Sequence, residues 1–259
     1  MNLSKNSVDV KNAAVSFWRK IVSAIEDLVA SNTYEKINNI MSLGQVKRLR
    51  AETIACHSDL VYGKIVVDLG SGKGYSAIEI LKYEPKLLIL LDPSPSMLAD
   101  NISYMANSVV VERVVGVAEY MPFRNKVIEA FFSFFVLRDL LDICHAFREI
   151  ARSSSGKSVL VDVIRPSSRL WDSIVLMWFC IMVPLIAGIM QGVGGYKNYS
   201  IFCKTVKKWI TKEKLAEIVR KCYGDNFVLK TRMLGVIVEL TLNQNPIIDT
   251  SYHQYGLNQ

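Results

Sequence analysis

The sequence predicts an α/β fold in which helices cover both faces of a mostly parallel sheet. Apolar runs alternate with helical patterns between residues 64 and 163, and this β-α-β-α order is typical of parallel sheets. The run at 64–74, KIVVDLGSGKG, places an acid at the end of a strand and three glycines after it. A second apolar run, 87–92, also ends in an aspartate. Together these runs predict a nucleotide-type cofactor pocket at the carboxyl edge of the sheet.

Hydrophobic periodicity sets the order of the elements. Apolar residues at helical spacing predict a helix over 8–30 and a further helical stretch over 34–56. The short apolar runs predict strands near 64–69, 87–92, 109–117, 128–136 and 158–163. The helices expected between them are 74–83, 94–106 and 139–152. The alternation holds up to Pro166, where the pattern changes.

The stretch 173–196 contains no charged residue. Its 24 residues are long enough to span a bilayer if they form one helix. Pro184, Gly188 and the glycines of 192–195 argue against a straight span. Three interpretations stay open: a lid over a lipophilic ligand, shallow contact with a membrane, and a transmembrane helix.

The C-terminal part returns to regular elements. Thr211 is expected to cap a helix that ends at Tyr223, because a threonine before an amphipathic run satisfies free backbone N–H groups. Two final strands are predicted, near 227–234 and 236–242. The polar tail after Pro246 is expected to be disordered.

The composition indicates one large core and an apolar ligand or surface. The chain has 259 residues, of which 51% are hydrophobic, and a mean hydropathy of +0.23. This length favours a single α/β domain with an appended cap. The net charge of +7 comes from scattered Lys and Arg. This charge indicates either a solvated basic surface or attraction to anionic lipid headgroups. A nucleic-acid partner is not expected, because no nucleic-acid-binding motif accompanies the charge.

The cysteine pattern favours a cytoplasmic protein. The five cysteines are Cys56, Cys144, Cys180, Cys203 and Cys222. None forms a Cys-x-x-Cys pair and their number is odd, so neither a disulfide framework nor a zinc site is expected, and a reducing compartment fits best. No metal is expected. The first apolar stretch is broken by Lys11, Arg19 and Lys20, so no signal peptide is expected either.

The glycine spacing favours S-adenosylmethionine (SAM) over a dinucleotide. Gly70, Gly72 and Gly74 form G-x-G-x-G, whereas the dinucleotide fingerprint places its third glycine three residues after the second. The glycines let the backbone approach a ligand, and the next helix directs its N-terminus towards it. Asp68 is expected to face the amino-acid end of SAM, directly or through water. Asp92 is expected to accept hydrogen bonds from the ribose. Two alternatives to a SAM site remain for this loop, a plain βα turn and NAD binding.

Segments outside the loop resemble the ubiquinone/menaquinone biosynthesis C-methyltransferases, the UbiE/MenG family. Residues 34–44, YEKINNIMSLG, resemble that family's Y-D-x-M-N-x-x-M-S-x-G opening. Residues 116–123, GVAEYMPF, are similar to its G-N/D-A-E-x-L-P-F segment. Residues 135–142, FVLRDLLD, resemble F/S-G-L-R-N-x-x-D, and 146–150 are similar to the helix that follows. The resemblance covers roughly 34–242.

The resemblance implies a Rossmann-like class I methyltransferase fold. That fold has a seven-stranded, mostly parallel sheet with its last strand antiparallel, helices on both faces, N-terminal helices and an apolar helical cap. The expected division is 1–60 as a helical segment forming part of the lid, 61–166 as the SAM-binding core, 167–224 as the cap and substrate region, 225–245 as the final strands and 246–259 as the tail. The implied reaction moves the sulfonium methyl of SAM to a ring carbon of a prenylated quinol.

The same resemblance implies which residues hold SAM. They are Asp68, Gly70, Ser71, Gly72, Gly74, Asp92, Pro93, Met97, Val117, Ala118, Glu119 and Phe135. Val117 stands where the family has Asp or Asn beside the adenine, so only backbone groups can meet the adenine amino group there. The family's His-Arg after Met-Ser-x-Gly is replaced around Gln45 and Val46, and its Lys-Pro-Gly-Gly is SSSG at 153–156. These departures concern the acceptor more than SAM.

The reaction needs an activated ring, because an aromatic carbon is a poor nucleophile until a neighbouring phenol loses its proton. Arg138 is expected to hold a water or the phenolate, since a guanidinium stays charged. The alternative for Arg138 is a salt bridge to Asp139 or Asp142 at a helix start. Tyr34 and Asn38 lie four residues apart on one helical face and are expected to hydrogen-bond quinol oxygens. Packing and capping are the alternative for that pair.

The expected partners follow from this reaction. They are a lipophilic quinol and, through Trp171, Trp178 and the basic cluster at 197–214, the surface of a membrane. A homodimer is left open. Three other functions also stay open: methylation of another lipid or small hydrophobic acceptor, a SAM-binding protein without turnover, and RNA methylation, which rests on the basic charge alone.

Overall fold

The structure is a computed structural model that describes residues 34–42, 44–99 and 109–244, together with Ser16 and Ser23. Nearly all of the helix predicted over 8–30 lies outside the described residues, as does the tail after Pro246. The predicted helix 94–106 is described only up to residue 99.

Seven strands of the described chain form one sheet. They are β1 (Ile65–Leu69), β2 (Leu87–Asp92), β3 (Val110–Val115), β4 (Ile128–Phe134), β5 (Ser154–Val163), β6 (Phe227–Arg232) and β7 (Ile237–Leu242). Their spatial order is β3-β2-β1-β4-β5-β7-β6. β7 runs antiparallel to both β5 and β6, and the other pairs are parallel. The predicted seven-stranded sheet with an antiparallel last strand is therefore confirmed.

Helices and short turns connect the strands. The helices are α1 (Tyr34–Met41), α2 (Gln45–Cys56), α3 (Tyr75–Leu81), α4 (Pro95–Ala99), α5 (Ile143–Ser153), α6 (Arg169–Met177), α7 (Val183–Lys208) and α8 (Lys212–Cys222). A π-helical turn, Trp178–Met182, joins α6 to α7. The stretch predicted over 34–56 divides into two helices at Gly44, whose φ of 80° is non-helical. Thr211 caps α8 as predicted, since its side chain accepts a hydrogen bond from the Lys214 N–H.

Two apolar layers sandwich the sheet. One contains Val66 and Phe132 of the sheet with α2, α3 and the inner side of α6 and α7. The other contains Val67 and Phe131 with α5 and α8. Because neighbouring strand residues point to opposite faces, these adjacent pairs separate into the two layers. This arrangement leaves the carboxyl ends of the parallel strands open for a site.

Strand β5 begins four residues earlier than predicted. Ser154 and Ser155 lack the apolar character of the rest of the strand, but their hydroxyls donate to the carbonyls of Gly156 and Ile128. Gly156 lies so close to β4 that a Cβ there would be 2.0 Å from the Glu129 carbonyl oxygen. Local hydrogen bonding and this close approach extend the strand where hydrophobicity does not indicate one.

The cysteines contradict the expectation that disulfides are absent. Cys144 of α5 is joined to Cys222 of α8, and Cys180 of the π-helical turn is joined to Cys203 of α7. Cys56 is exposed and free. The partners are 78 and 23 residues apart in sequence, so the spacing of neighbouring cysteines could not indicate them. The prediction of a reducing compartment therefore loses its support from the cysteines.

The apolar segment forms a helical hairpin, which we call the cap hairpin (residues 178–208). Its turn is at Gly192, where φ is 71° and ψ is −160°. Across it, the Cα atoms of Cys180 and Cys203 lie 4.9 Å apart, and a Cβ on Gly188 would lie 3.3 Å from the Tyr196 Cβ. Residues 169–201 have the length and composition of a membrane span, but the chain reverses at Gly192 and does not form one straight helix.

Candidate active site

A cavity of about 280 Å³ lies where β1, β2 and β4 end. Its walls contain the glycine loop after β1, residues 91–94 at the end of β2, and residues 134–136 and 138–140 at the end of β4. Met41 of α1 and Phe179 and Tyr199 of the cap hairpin also line it. The cavity therefore joins a loop of backbone amides to an apolar wall.

The glycine loop needs its glycines for two different reasons. Gly70, Gly72 and Gly74 have φ values of 69°, 53° and 81°, a region that side chains disfavour. At Gly70, an added Cβ would also lie 2.3 Å from Cγ2 of Val136, which follows β4. Gly74 stands at the N-cap of α3. The loop is thus folded tightly against the next strand end, with free space beside Gly72.

Asp92 holds this loop in place. Its two carboxylate oxygens accept hydrogen bonds from the Gly72 N–H and the Ser94 N–H, both at 2.9 Å. An ionised carboxylate only accepts hydrogen bonds, which suits contact with the hydroxyl groups of a ligand. Asp92 therefore links the end of β2 to the glycine loop and lines the cavity.

Asp68 lies behind the cavity wall rather than in it. It is 1% exposed and does not line the cavity, whereas its neighbour Leu69 does. Strand alternation turns Asp68 towards α2 and α3, where the Ala77 N–H and Arg50 interact with it. Burial raises the pKa of Asp68 to about 7, and Arg50 opposes this rise. Its Oδ2 has no hydrogen-bond partner among the described residues.

Arg50 is a cavity residue that the sequence reasoning missed. Its guanidinium carbon lies 5.5 Å from the ring centroid of Phe135 and 5.8 Å from that of Tyr75. The positive charge lowers the pKa of Asp68 behind it. A signal was available, because Val46, Arg50 and Thr53 recur at helical spacing on the inner side of α2. The opening motif of the family resemblance ended at Gly44, six residues earlier.

Arg138 lines the cavity and forms a buried ion pair. Its guanidinium pairs with Asp162, and its backbone N–H donates to the same carboxylate at 3.1 Å. The side chains of Arg138 and Asp162 are 8% and 0% exposed. Arg138 Nε lies 3.8 Å from Asp139 Oδ2, so the salt bridge considered for Asp139 exists. Asp142, the other acid considered, caps α5 by accepting a hydrogen bond from the His145 N–H.

Burial dominates the electrostatics of this pair. It raises the pKa of Asp139 to about 6 and also raises the pKa of Asp162, and in both cases Arg138 opposes the rise. The neighbouring carboxylate of Asp162 raises the pKa of Asp139 further. Arg138 thus keeps a positive charge on the cavity wall with its position fixed from two sides.

The sequence profile of the ubiE/COQ5 methyltransferase family matches residues 14–255 of the chain. The chain belongs to the ubiE/COQ5 methyltransferase family. Both the predicted resemblance and the predicted class, a SAM-dependent methyltransferase, are thereby confirmed. The order of strands and the glycine loop at the end of β1 agree with that class.

Two demethylmenaquinone methyltransferases are among the relatives of this ubiE/COQ5 family member. It is 28% identical to the demethylmenaquinone methyltransferase of Lactiplantibacillus plantarum, over 79% of this chain and 88% of that protein. It is 26% identical to the demethylmenaquinone methyltransferase of Mycobacterium marinum, over 92% of this chain and 99% of that protein. Among solved structures, the plantazolicin methyltransferase BpumL in complex with SAH is similar in fold, with a TM-score of 0.56. The two chains are 13% identical, and the match covers 92% of this chain and 99% of that one.

The structure brings most of the predicted SAM residues of this family member together. Of the predicted set, all except Asp68 and Gly74 line the cavity. Glu119 is 6% exposed and its Oε1 accepts from the N–H groups of Leu141 and Asp142, so it also fixes the loop before α5. Val117, which departs from the family pattern, also lines the cavity.

The predicted quinol contacts from α1 are described only in part. Tyr34 and Asn38 belong to α1, but their side chains lie outside what the structure describes. Met41 and Ser42 line the cavity. The indole N–H of Trp178 donates to the Met41 carbonyl at 3.0 Å, and that of Trp171 to the Leu234 carbonyl at 3.1 Å. Both tryptophans therefore hold the cap against the rest of the protein.

Within the described residues, no group of His, Cys, Asp and Glu side chains is arranged to hold a metal ion.

Proposed function

We propose that this ubiE/COQ5 family member transfers the methyl group of SAM to a ring carbon of a prenylated quinol, in menaquinone- or ubiquinone-type biosynthesis. One observation carries the proposal: a single cavity contains the glycine loop, the buried cation of Arg138 and the apolar inner side of the cap hairpin. The names of the two relatives, both demethylmenaquinone methyltransferases, favour a quinol over other acceptors. A cytoplasmic location with peripheral membrane contact belongs to the same proposal.

SAM is proposed to lie along the strand ends. Its ribose hydroxyls donate to the carboxylate of Asp92, and its adenine lies against Val117 and Ala118. The amino-acid end lies towards the glycine loop and Arg50, whose cation suits the α-carboxylate. Asp68 supports this end from behind the wall through Arg50. This assignment changes the expected role of Asp68 from a direct contact to a positioning residue.

The acceptor is proposed to enter under the cap hairpin, with its ring towards Arg138 and its tail along Phe179 and Tyr199. Loss of a phenol proton to water makes the ring carbon nucleophilic. The carbon then takes the methyl as the sulfur–carbon bond breaks, and loss of the ring proton restores aromaticity. Alignment contributes on the order of 7–11 kcal/mol in well-oriented systems, and the Arg138 cation stabilises the phenolate. Tyr34 and Asn38 remain proposed contacts to the quinol oxygens.

The test uses purified protein, labelled SAM and three acceptors. They are a demethylated prenylated naphthoquinol, a prenylated benzoquinol and a phospholipid amine. We expect label in one of the two quinols. Label only in the phospholipid amine would favour the rival lipid methyltransferase, and SAM binding without any transfer would favour a SAM-binding protein without turnover.

Replacing Asp68 by Asn is expected to stabilise the ligand-free protein at alkaline pH and to weaken SAM binding. In the fold the pKa of Asp68 is about 7, whereas in an unfolded chain it is about 4. At a pH between about 4 and about 7, Asp68 keeps its proton in the folded protein and has lost it in the unfolded chain. The free energy of unfolding of the wild type therefore falls as pH rises from about 4 to about 7, and the amide escapes that fall.

Urea unfolding at pH 5 and pH 8 measures this effect. The free energy of unfolding of the Asp68→Asn variant, relative to that of the wild type, should rise by a few kcal/mol from pH 5 to pH 8. Asp59→Asn, an exposed carboxylate, is the control and should show no such change. A difference in free energy of unfolding between Asp68→Asn and the wild type that is the same at both pH values would contradict the account.

A further inference from the structure

The outer side of the cap carries a continuous apolar stripe. Along α6, the π-helical turn and the first arm of the cap hairpin, large apolar residues recur every three or four positions and are 41% to 87% exposed. They are Leu170, Ile174, Met177, Ile181, Leu185, Ile189 and Val193. Up to Ile189 this spacing places them on one side of the helical path, and Val193 directly follows the turn at Gly192. Leu234, 79% exposed at the β6–β7 turn beside Trp171, lies at the same end as Leu170.

The pocket does not explain this stripe, because a different side of the same helices serves the cavity. Val175, Phe179, Val183 and Ala187 are at most 9% exposed and belong to the core. The cap is therefore apolar on both sides, while only its inner side is covered. A helix that is apolar all round is typical of a protein interior or a membrane.

The shape of the cap hairpin limits how deeply it can insert. Ala187 and Tyr199 are 0% and 1% exposed, whereas Ile189 and Val193 at the turn are 87% and 71% exposed. Only about one helical turn of each arm therefore extends beyond the packed part, or roughly 6 Å at 1.5 Å per residue. That depth suits the boundary between headgroups and acyl chains, about 5–10 Å, and not a hydrocarbon core of about 30 Å.

The charges around the stripe complement an anionic surface. No Asp or Glu occurs from Ser173 to Lys212. Arg169 at the start of the stripe and Lys197, Lys204 and Lys207 on the second arm are exposed. An apolar face with a basic border is the pattern of helices that lie on membranes containing anionic lipids.

We propose that the stripe docks on an anionic bilayer, with the tip of the cap hairpin in the interfacial region. The role of this docking rests on the proposed function: it lets a lipophilic quinol pass from the lipid phase to the cavity beneath the same hairpin. The occupant of the stripe is lipid, and the contact is peripheral.

Vesicle flotation tests the docking with the full chain. The vesicles are phosphatidylglycerol mixed with phosphatidylcholine, or phosphatidylcholine alone. We expect the wild type to float with the anionic vesicles, and the Ile189→Glu/Val193→Glu variant to float at least tenfold less. Tyr62→Glu is the matched control, because Tyr62 is as exposed as Val193 at 71% but lies outside the cap. Lys197→Glu/Lys204→Glu should remove the preference for anionic vesicles.

Three results would overturn the docking. The wild type could fail to float, or it could float as well with the tip substituted. It could resist extraction by carbonate, which indicates a span. A dimer that the tip substitutions dissociate, without vesicle binding, would assign the stripe to a second copy of the chain.

An activity measurement separates this inference from the proposed function. In the tip variant, transfer to a long-tailed quinol held in vesicles should fall, and transfer to a short-chain, water-soluble quinol should not. Flotation that depends on the tip, in a protein that methylates neither quinol, would support the docking and refute the quinol reaction.

Discussion

Replacing Arg138 by Gln together with Asp162 by Asn is expected to lower turnover about 100-fold or more, in line with the loss of one oxyanion-stabilising donor. Affinity for SAM should change by no more than a few-fold. Arg138 lines the cavity and is the cation proposed to stabilise the phenolate, whereas the SAM contacts lie on the glycine loop and the end of β2. Turnover and SAM affinity are measured separately, by product formation and calorimetry.

The double substitution is chosen because Arg138 and Asp162 are buried together. Arg138→Ala alone would leave a carboxylate unpaired in the interior, at a cost of about 3–5 kcal/mol of stability. The matched control is Arg152→Gln/Glu149→Gln, which removes an ion pair on α5 that does not line the cavity. A folded, SAM-binding Arg138→Gln/Asp162→Asn variant with unchanged turnover would exclude Arg138 from the chemistry.

Replacing Arg50 by Met is expected to weaken SAM binding roughly 10- to 100-fold, the range that corresponds to the loss of a hydrogen bond to a charged group. Binding of 5′-methylthioadenosine, which has the nucleoside and sulfur but lacks the amino-acid end, should not change. The reason is the position of the guanidinium, which lines the cavity above the rings of Tyr75 and Phe135. Calorimetry with both ligands measures the difference.

Arg48→Met is the control for Arg50. It lies on the same helix, its side chain is 70% exposed and it pairs with Glu52. An equal loss for SAM and 5′-methylthioadenosine would mean that Arg50 acts on the shape of the cavity. Unchanged SAM affinity would remove Arg50 from the binding site.

Local sequence patterns predicted the part of the fold that holds the cofactor. β1 and β2 are buried apolar runs at the edge where parallel strands place their carboxyl ends. Of the aspartates that the sequence singled out, Asp92 is the last residue of β2, and Asp68 lies one residue before the end of β1. The glycines after β1 adopt positive φ angles, which glycine tolerates and other residues disfavour. The antiparallel β7 followed from the family resemblance, since its residue pattern alone does not reveal direction.

What the sequence could not predict depends on distant residues coming together. Asp162 lies 24 residues after Arg138, and β5 places it beside that arginine. The cysteine pairs and the reversal of the cap at Gly192 depend in the same way on packing between segments. Asp68 was expected in the cavity, but the alternation of β1 directs it behind the wall.

The position of the transferred methyl group tests the central claim most directly. The protein is incubated with SAM carrying a trideuterated methyl group and a demethylated prenylated quinol, and the product is analysed by fragmentation mass spectrometry. We predict that the label is on a ring carbon. Label on a phenolic oxygen, or no transfer by protein that binds SAM, would contradict the assignment of this ubiE/COQ5 family member as a quinol C-methyltransferase.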